Sequence, residues 1–309
     1  MKNENSPFFC PKSPFDHAEM MRTLFPLTER YPAAELSYLG STVLDRTIPM
    51  IKIGSGRREV LYVGAHHGME WITAAILTAF LKELCERADR TGRVEGLDWQ
   101  EFCAIHTLYV IPMLNPDGVE YQIHGIDQNH PLSERVLAMN GGSEDFSHWQ
   151  ANARGVDLNH NYDAGFADYK KLESEAGIFG GAPTRYSGEA PESEPEVRLL
   201  CDFIRYHSNL RGVITLHTQG EEIFYRSGGK VPTGSGIIAR RLSELCGYRL
   251  SEAEGAASYG GLTDWCVRAC SLPSFTLECG RGKNPLPITD FFPIYTGIRK
   301  ALFRFPFLV

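Results

Sequence analysis

Short apolar segments alternate with helical patterns along this chain, and no other feature of the sequence limits the fold as strongly. Residues 59–63 and 107–111 are apolar runs bounded by turn or loop residues, which predicts two short strands. Apolar side chains recur at intervals of four between them, which predicts an amphipathic helix over residues 70–87. A strand, a helix and a strand in this order are typical of a parallel pair joined by a crossover helix.

The same alternation continues to the end of the chain. Ser193 and Glu196, with Pro195 between them, have the spacing of a capping box and predict the start of another helix. The other predicted elements are helices over residues 14–31 and 234–246 and strands over residues 212–216 and 274–277. We therefore expect an α/β fold, a single three-layer α/β/α domain over residues 1–309 with a mixed, mostly parallel twisted sheet.

Two long stretches, residues 122–154 and 163–193, show little periodicity and are rich in Gly, Ser, Asn, Asp and Pro. In a compact domain, segments of this length without regular structure are typical of functional surface loops. We expect both stretches to be loops at the surface.

Charge and hydrophobicity argue against two classes of partner. The net charge is -7, from 31 basic and 38 acidic residues without a basic block, so the charge pattern of a nucleic-acid-binding protein is missing. No apolar stretch approaches the roughly 20 residues that span a bilayer, so we expect no membrane insertion. The first 17 residues lack the apolar core of an export signal, which favours a cytoplasmic protein. The oligomeric state stays open.

Eight cysteines lie along the chain without the short paired spacing of a zinc knuckle or a redox motif. Several, such as Cys201, have apolar neighbours, as buried free thiols do. We expect reduced cysteines in the core. Cys266 and Cys270, at helical spacing, are the one pair to test for a disulfide bond.

Polar side chains that can bind a metal follow three of the predicted strands. His67 and Glu70 stand three residues apart after the first strand, and His217 and Glu278 each follow a later one. The spacing of His67 and Glu70 alone also fits an ordinary helix start. In open α/β sheets, however, ligands gather beyond the carboxyl ends of the strands, and zinc accepts imidazole nitrogen and carboxylate oxygen. Three such strand ends together predict a metal site.

Six segments carry further motifs: residues 64–71 (GAHHGMEW), 112–118 (PMLNPDG), 155–159 (GVDLN), 193–196 (SEPE), 216–218 (LHT) and 275–278 (FTLE). Together they resemble the zinc carboxypeptidase family, in family order from about residue 14 to the C-terminus. The resemblance, rather than the spacing, implies that His67, Glu70 and His217 hold one zinc ion per chain. It also implies a peptide substrate, with Glu278 as the general base that takes a proton from zinc-bound water. Family alignment favours His67 over His66, because Glu70 must stand three residues after the ligand.

The resemblance implies further roles around the metal. Asp157 matches an aspartate that hydrogen-bonds a zinc-bound histidine. Arg154 is the candidate for stabilising the oxyanion on the attacked carbonyl, and Gln150 is the alternative position for that family residue. Tyr259 lies near the place of a mobile family tyrosine and is a candidate lid residue.

The substrate is suggested by a departure from the family pattern. Digestive carboxypeptidases grip the terminal carboxylate with an Asn-Arg pair, and this chain has Asn159 and His160 there. The loss of the arginine argues against ordinary C-terminal trimming. Residues 217–222 and 278–287 are instead similar to the bacterial γ-D-glutamyl-diamino acid endopeptidase branch. Members of that branch cut between γ-linked D-glutamate and diaminopimelate or lysine in peptidoglycan stem peptides.

Two cations follow the expected base and suit an anionic stem peptide. Arg281 and Lys283 stand three and five residues after Glu278, and we expect them to pair with substrate carboxylates, although a solvated loop is the other interpretation. The resulting hypothesis is a zinc peptidase that acts on muropeptides inside the cell. A conventional metallocarboxypeptidase and an N-acyl amino acid deacylase are alternatives. A peptide-binding sensor is the non-enzymatic alternative, and Glu278 argues against it because binding alone requires no base.

Overall fold

The computed structural model describes residue 9 and residues 11–309. Cys10 and the first eight residues lie outside the described residues, and they include part of the segment from which we predicted the absence of an export signal. Of the helices that the structure describes, none combines the length and the apolar character needed to cross a bilayer.

One mixed β-sheet organises the molecule. The strands are β1 (Ala34–Ser41), β2 (Thr47–Gly54), β3 (Arg58–Val63), β4 (Arg93–Val94), β5 (Leu97–Asp98), β6 (His106–Ile111), β7 (Leu210–His217), β8 (Glu222–Phe224), β9 (Arg249–Leu250) and β10 (Ser274–Glu278). Eight of them form the sheet in the order β1-β2-β6-β3-β7-β10-β8-β9, and β4 pairs with β5 separately. The central strands β6, β3, β7 and β10 run parallel, whereas β1, β2 and β8 make antiparallel pairs. The mixed, mostly parallel sheet is confirmed.

Helices connect the strands. They are α1 (His17–Arg30), α2 (Ile72–Thr91), α3 (Trp99–Ile105), α4 (Pro116–His124), α5 (Ser133–Met139), α6 (Phe166–Glu175), α7 (Pro195–Tyr206), α8 (Ser235–Cys246), α9 (Leu262–Ala269) and α10 (Phe291–Arg304). Short 3-10 turns lie at Gly68–Glu70, Leu158–His160, Gly255–Ser258, Ile288–Asp290 and Phe305–Phe307.

Alternate residues of the central strand β3 face two different cores, which defines three layers. Val60 and Tyr62 belong to the larger core, together with buried residues of α1, α2, α8 and α10. Leu61 and Val63 belong to the second core, together with buried residues of α7 and α9. Successive side chains of a strand face opposite sides, so helices on both faces are needed to bury them. The expected α/β/α layering is confirmed.

The predicted elements correspond to α1, α2, α7, α8, β3, β6, β7 and β10, with a correction at the start of α7. This helix begins at Pro195, and its N-cap is Glu194 rather than Ser193. The Ser193 hydroxyl donates to the Glu194 carboxylate at 2.8 Å, and the buried Glu196 carboxylate accepts from the Asn152 amide at 3.3 Å. Both side chains of the expected capping box bond elsewhere, so that prediction is wrong.

The two stretches predicted as loops contain the short helices α5 and α6. Helix α5 places Val136 in a small apolar cluster with Phe146 and Trp149, and α6 buries Phe166 and Tyr169. Each helix buries so few apolar side chains that its periodicity is too brief to predict. The expectation of continuous loops is wrong at these two places.

The seven cysteines among the described residues are all free, and Cys266 is not joined to Cys270. Four of the seven are buried, including Cys266 and Cys201. Cys270 is exposed, so the prediction of a core position is wrong for it, because it caps the end of α9 at the surface.

Candidate metal centre

Three neighbouring parallel strands end at one edge of the sheet and bring the predicted metal-binding residues together. β10 pairs with β7 in a register that sets Glu278 opposite His217, and β3 lies on the other side of β7. His67 and Glu70 follow β3 in a 3-10 turn. His67, Glu70 and His217 each offer one ligand atom, and these atoms all lie within 4.8 Å of one another. The strand ends thus converge as the sequence led us to expect.

The chain turns sharply between β3 and this cluster. Ala65 has a φ of 46°, a conformation that costs energy for a residue with a side chain. Its N–H donates to the Thr73 hydroxyl at 2.8 Å, and its carbonyl accepts from the Asn115 N–H at 3.0 Å. Gly68 is required in the same turn, because a Cβ there would lie 2.3 Å from the carbonyl oxygen of Gly118. The turn is therefore fixed by hydrogen bonds and by close backbone packing.

The three side chains form a compact, buried donor set. Nδ1 of His67 lies 2.9 Å from one carboxylate oxygen of Glu70, and Nδ1 of His217 lies 3.1 Å from the other. The two Nδ1 atoms are 3.3 Å apart. Burial lowers the pKa of His67, but the carboxylates of Glu70 and Asp157 outweigh burial and hold that pKa well above its usual value. The cluster therefore favours positive charge at its centre.

Glu278 lies beside the donor set without belonging to it. Its side chain lines the same cavity as His67 and His217. Burial, with the nearby charge of Glu70, raises the pKa of Glu278 to about 8. A cation held by the donor set would act in the opposite direction and favour the carboxylate.

A cavity of about 510 Å³ opens from the donor set. It includes Asn159 and His160 from the predicted substrate-binding residues. His160 is held in place, because its Nδ1–H donates to the Tyr259 carbonyl at 2.8 Å and its ring stacks on Tyr169 with ring centres 3.9 Å apart. The Asn159 side-chain oxygen accepts from the Leu262 N–H at 3.1 Å.

These features match a known group of enzymes. The sequence pattern described as zinc carboxypeptidase matches residues 20–301. The chain belongs to the zinc carboxypeptidase family. It is 34% identical over 281 residues to gamma-D-glutamyl-L-diamino acid endopeptidase 1 of Lysinibacillus sphaericus, which covers 91% of this chain and 69% of that protein.

Two solved structures share the fold. Carboxypeptidase A from Helicoverpa armigera has a TM-score of 0.71 at 19% identity, covering 93% of this chain and 71% of that chain. The murein-tripeptide amidase MpaA from Escherichia coli O157 has a TM-score of 0.54 at 21% identity, covering 87% of this chain and 91% of that chain. At these identities the structures establish the architecture, and the family establishes a zinc-dependent peptidase.

The donor set fits the zinc ion that this family uses. Two imidazole nitrogens and a carboxylate beside a cavity are the ligand types of a catalytic zinc site. Zinc–nitrogen bonds of about 2.0–2.1 Å at tetrahedral angles set two ligand nitrogens about 3.3–3.4 Å apart. The Nδ1 atoms of His67 and His217 are already at 3.3 Å. His67, Glu70 and His217 could therefore hold the ion.

His66 is the neighbour that we expected rather than a ligand. Its ring stacks against that of His217 with centres 5.1 Å apart. Its Nε2 lies 2.9 Å from the Tyr162 hydroxyl, and its Nδ1 lies 3.3 Å from the Thr215 hydroxyl. Both ring nitrogens are engaged, so neither is free for a metal.

Asp157 contacts the donor set as the resemblance implied. Its carboxylate accepts from Nε2–H of His67 at 3.1 Å, which leaves the Nδ1 lone pair of His67 for the ion. We expect Asp157→Asn to lower zinc affinity about 10- to 100-fold, the usual effect of losing such a contact. Competition with a zinc chelator measures it, and the exposed Asp163→Asn in the same segment is the control. Equal affinities for both variants would refute the role of Asp157.

Arg154 does not reach the cleft. It lines a separate cavity, where its guanidinium lies 3.6 Å from the Glu194 carboxylate and 49% of its side chain is exposed. Its N–H donates to the Asn152 side chain in a turn that holds it on that side. The predicted role as oxyanion stabiliser does not fit this position. Gln150, the alternative, lines a groove of about 740 Å³ that also includes His67 and His160.

Arg281 and Tyr259 also lie outside the cavity. Arg281 is 78% exposed and pairs with Glu221 at 2.6 Å, because the Glu221 N–H donates to the Glu278 carbonyl and brings the two side chains together. Tyr259 lines an adjacent cavity, where the Arg268 guanidinium lies 5.6 Å from its ring centre. The structure therefore does not support substrate contact by either side chain.

Lys283 does line the cavity, and it has no ion-pair or hydrogen-bond partner among the described residues. Asn284 beside it is a site residue that the sequence did not suggest. The Asn284 amide donates to the Thr218 carbonyl at 2.8 Å, and the Thr218 N–H donates to the Glu70 carboxylate at 3.2 Å. These contacts orient Glu70. The only sequence signals for them are that Thr218 directly follows His217 and that Asn284 stands six residues after Glu278.

Proposed function

We propose that this zinc peptidase hydrolyses the bond between γ-linked D-glutamate and a diamino acid, meso-diaminopimelate or lysine, in peptidoglycan stem peptides. The observation that carries the proposal is His160. It stands where digestive carboxypeptidases have an arginine, and its Nδ1 is committed to the Tyr259 carbonyl. One remaining ring nitrogen cannot replace a charged fork in gripping a terminal α-carboxylate.

Two further observations support this substrate. The 34% identical relative from Lysinibacillus sphaericus is named as a gamma-D-glutamyl-L-diamino acid endopeptidase. In addition, Lys283 offers an unpaired ammonium group in the cavity, which suits a peptide with several carboxylates. The alternatives of ordinary carboxypeptidase and N-acyl amino acid deacylase do not require this cation.

In this proposal, residues of the chain have separate roles around the scissile bond. A zinc ion held by His67, Glu70 and His217 would polarise the scissile carbonyl as a Lewis acid and would lower the pKa of the attacking water. Glu278 holds the proton removed from the nucleophile on its carboxylate and passes it to the leaving amine. Asp157 keeps His67 in the tautomer whose Nδ1 faces the donor set. The Asn284–Thr218–Glu70 contacts keep the third ligand oriented.

Three substrates test the proposal. The zinc-loaded protein is incubated with L-Ala-γ-D-Glu-meso-diaminopimelate, with the lysine analogue and with a hippuryl dipeptide, and the products are identified by mass. We expect release of the diamino acid from the stem peptides. Cleavage of the hippuryl dipeptide alone would identify a conventional carboxypeptidase or a deacylase, and binding without cleavage would identify a sensor.

A cytoplasmic location, with turnover of muropeptides inside the cell, is part of this proposal. Cell fractionation with an antibody against the native protein tests it. Recovery of the protein outside the cytoplasmic fraction would contradict it.

Lys283 and Arg281 provide a matched pair of cations from one loop. We expect Lys283→Met to lower kcat/KM on the stem peptide about 5- to 30-fold, the range for a charge-assisted hydrogen bond that water partly screens. Arg281→Met should change it less than about 2-fold, because Arg281 pairs with Glu221 outside the cavity. Steady-state kinetics on both variants measures this. A larger loss for Arg281→Met would restore the original prediction for that residue.

A further inference from the structure

The cavity extends away from the donor set along β8 and β10. The two strands are antiparallel, with Glu278 opposite Glu222 and Thr276 opposite Phe224. Side chains two residues apart share one face of a strand, and each such step covers about 6.6–6.8 Å. Arg226 comes two residues after Phe224 and lines the same cavity. The cavity therefore has a near end at Glu278, a middle at Thr276 and Phe224, and a far end at Arg226.

The residues that we place at the middle of the cavity are uncharged. They are Phe224, Thr263 and Thr276. The Thr276 hydroxyl donates to Thr263 at 2.8 Å, and the Thr263 hydroxyl lies 2.9 Å from that of Ser274. These hydroxyls satisfy one another, so the middle of the cavity suits methylene groups.

The far end is lined by the cation Arg226 and the anion Asp264, and a third charged residue, Glu252, pairs with Arg226. Asp264 is 8% exposed, and its carboxylate accepts from the Ser227 hydroxyl and from the Gly261 N–H at 3.2 Å. Arg226 pairs through Nη1 with Glu252 at 2.6 Å, and 67% of the Glu252 side chain is exposed. Nε of Arg226 is buried and has no hydrogen-bond partner in the described part of the chain. Arg226 is thus already paired with a carboxylate, that of Glu252, and the exposed Glu252 side chain can move into solvent.

We propose that this far end binds the zwitterionic amino acid head of a diamino acid side chain, with Arg226 holding its carboxylate and Asp264 its ammonium group. The inference rests on the proposed function, because it places the diamino acid on the amine side of the scissile bond. In diaminopimelate three methylenes separate the two carbons that each carry an amino and a carboxyl group. These two carbons are about 5 Å apart at carbon–carbon bonds of about 1.5 Å. That span is a little shorter than one step along the strand, so it carries the distal head from the level of Glu278 almost to that of Thr276. The Arg226 side chain, which lines the same cavity, is long enough to cover the next step and meet the head there.

The same arrangement separates diaminopimelate from lysine. Lysine brings an ammonium group and no carboxylate, so Arg226 keeps Glu252 as its partner and repels the incoming charge. Amidation of the distal carboxyl group of diaminopimelate removes the negative charge but keeps the shape. The site should therefore prefer the free acid over both the amide and lysine.

Three stem peptides test the inference: L-Ala-γ-D-Glu followed by meso-diaminopimelate, by its distal amide or by L-lysine. We expect wild type to favour the free acid about 10- to 100-fold in kcat/KM, and Arg226→Met to lose that preference through a selective loss on the acid. The exposed Arg241→Met on α8 is the matched control and should leave all three values unchanged. Glu252→Gln should raise kcat/KM on the acid, because it removes the competing carboxylate.

Each other outcome is decisive. Equal turnover of the three peptides by wild type, or an equal loss on all three in Arg226→Met, would refute the head-group site and leave the proposed function standing. If wild type cleaves none of them, the proposed function fails. The head-group site is then tested by calorimetric binding of free meso-diaminopimelate and lysine. Weaker binding of diaminopimelate by Arg226→Met supports the site, and unchanged binding overturns it. If Arg226→Met does not fold, Arg226→Lys takes its place, with a partial loss on the acid expected.

Discussion

Replacing Glu278 by glutamine is expected to lower kcat by about 10²- to 10⁴-fold while zinc content and thermal unfolding stay near wild type. Glutamine has nearly the shape of glutamate, so the packing at the end of β10 is kept. The amide cannot accept a proton, and Glu278 lies at the cavity beside His67 and His217, where we propose that the proton is taken. The loss should appear in kcat and in kcat/KM alike, as expected for an interaction made in the transition state.

Glu222 supplies the control for this variant. It lies opposite Glu278 on β8 and lines the same cavity, but its carboxylate is paired with Arg249. Glu222→Gln should therefore retain most turnover. Steady-state kinetics on the stem peptide, with zinc analysis of both proteins, measures the pair. Near-normal kcat for Glu278→Gln, or a greater loss for Glu222→Gln, would mean that another carboxylate is the general base.

The strand-end residues could be predicted because a parallel sheet converts sequence pattern into position. His217 and Glu278 each follow an apolar run directly, and the pairing of β7 with β10 then sets them opposite each other. The apolar runs also predicted the layers, because buried parallel strands and amphipathic helices have clear patterns. Neither inference needed knowledge of loop conformation.

The candidate site residues that were misplaced lie in loops, where sequence distance says little about direction. Arg281 stands three residues after Glu278, yet the turn that brings Glu221 beside it carries it to the surface. Arg154 precedes the Asp157 motif, yet a turn held by Asn152 places it in another cavity. Hydrogen bonds between residues far apart in sequence decide these directions, and no local pattern records them. Nothing in the sequence indicated Arg226, the residue that we propose at the far end of the cavity, for the same reason.

Removing the expected metal ligand His217 should have the second large effect, on zinc binding and on turnover. His217→Ala should lower zinc affinity by more than the 10- to 100-fold range typical of an outer contact, and turnover should fall with the bound zinc. His217 provides one of the two ring nitrogens in the donor set, with Nδ1 3.1 Å from Glu70. Two remaining donors do not meet the three protein ligands that a catalytic zinc site uses.

His66→Ala is the matched control, because it removes an imidazole from the same buried site. The His66 ring stacks on His217, but its nitrogens face the hydroxyls of Tyr162 and Thr215. Burial, together with the charges of the neighbouring histidines, holds the pKa of His66 well below its usual value, so this ring is neutral. His66→Ala should therefore lose folding stability, as cavity-forming substitutions do, while keeping one zinc per chain. Zinc analysis and thermal unfolding on both variants separate the two effects. Zinc lost from His66→Ala and kept by His217→Ala would mean that His66, rather than His217, holds the ion.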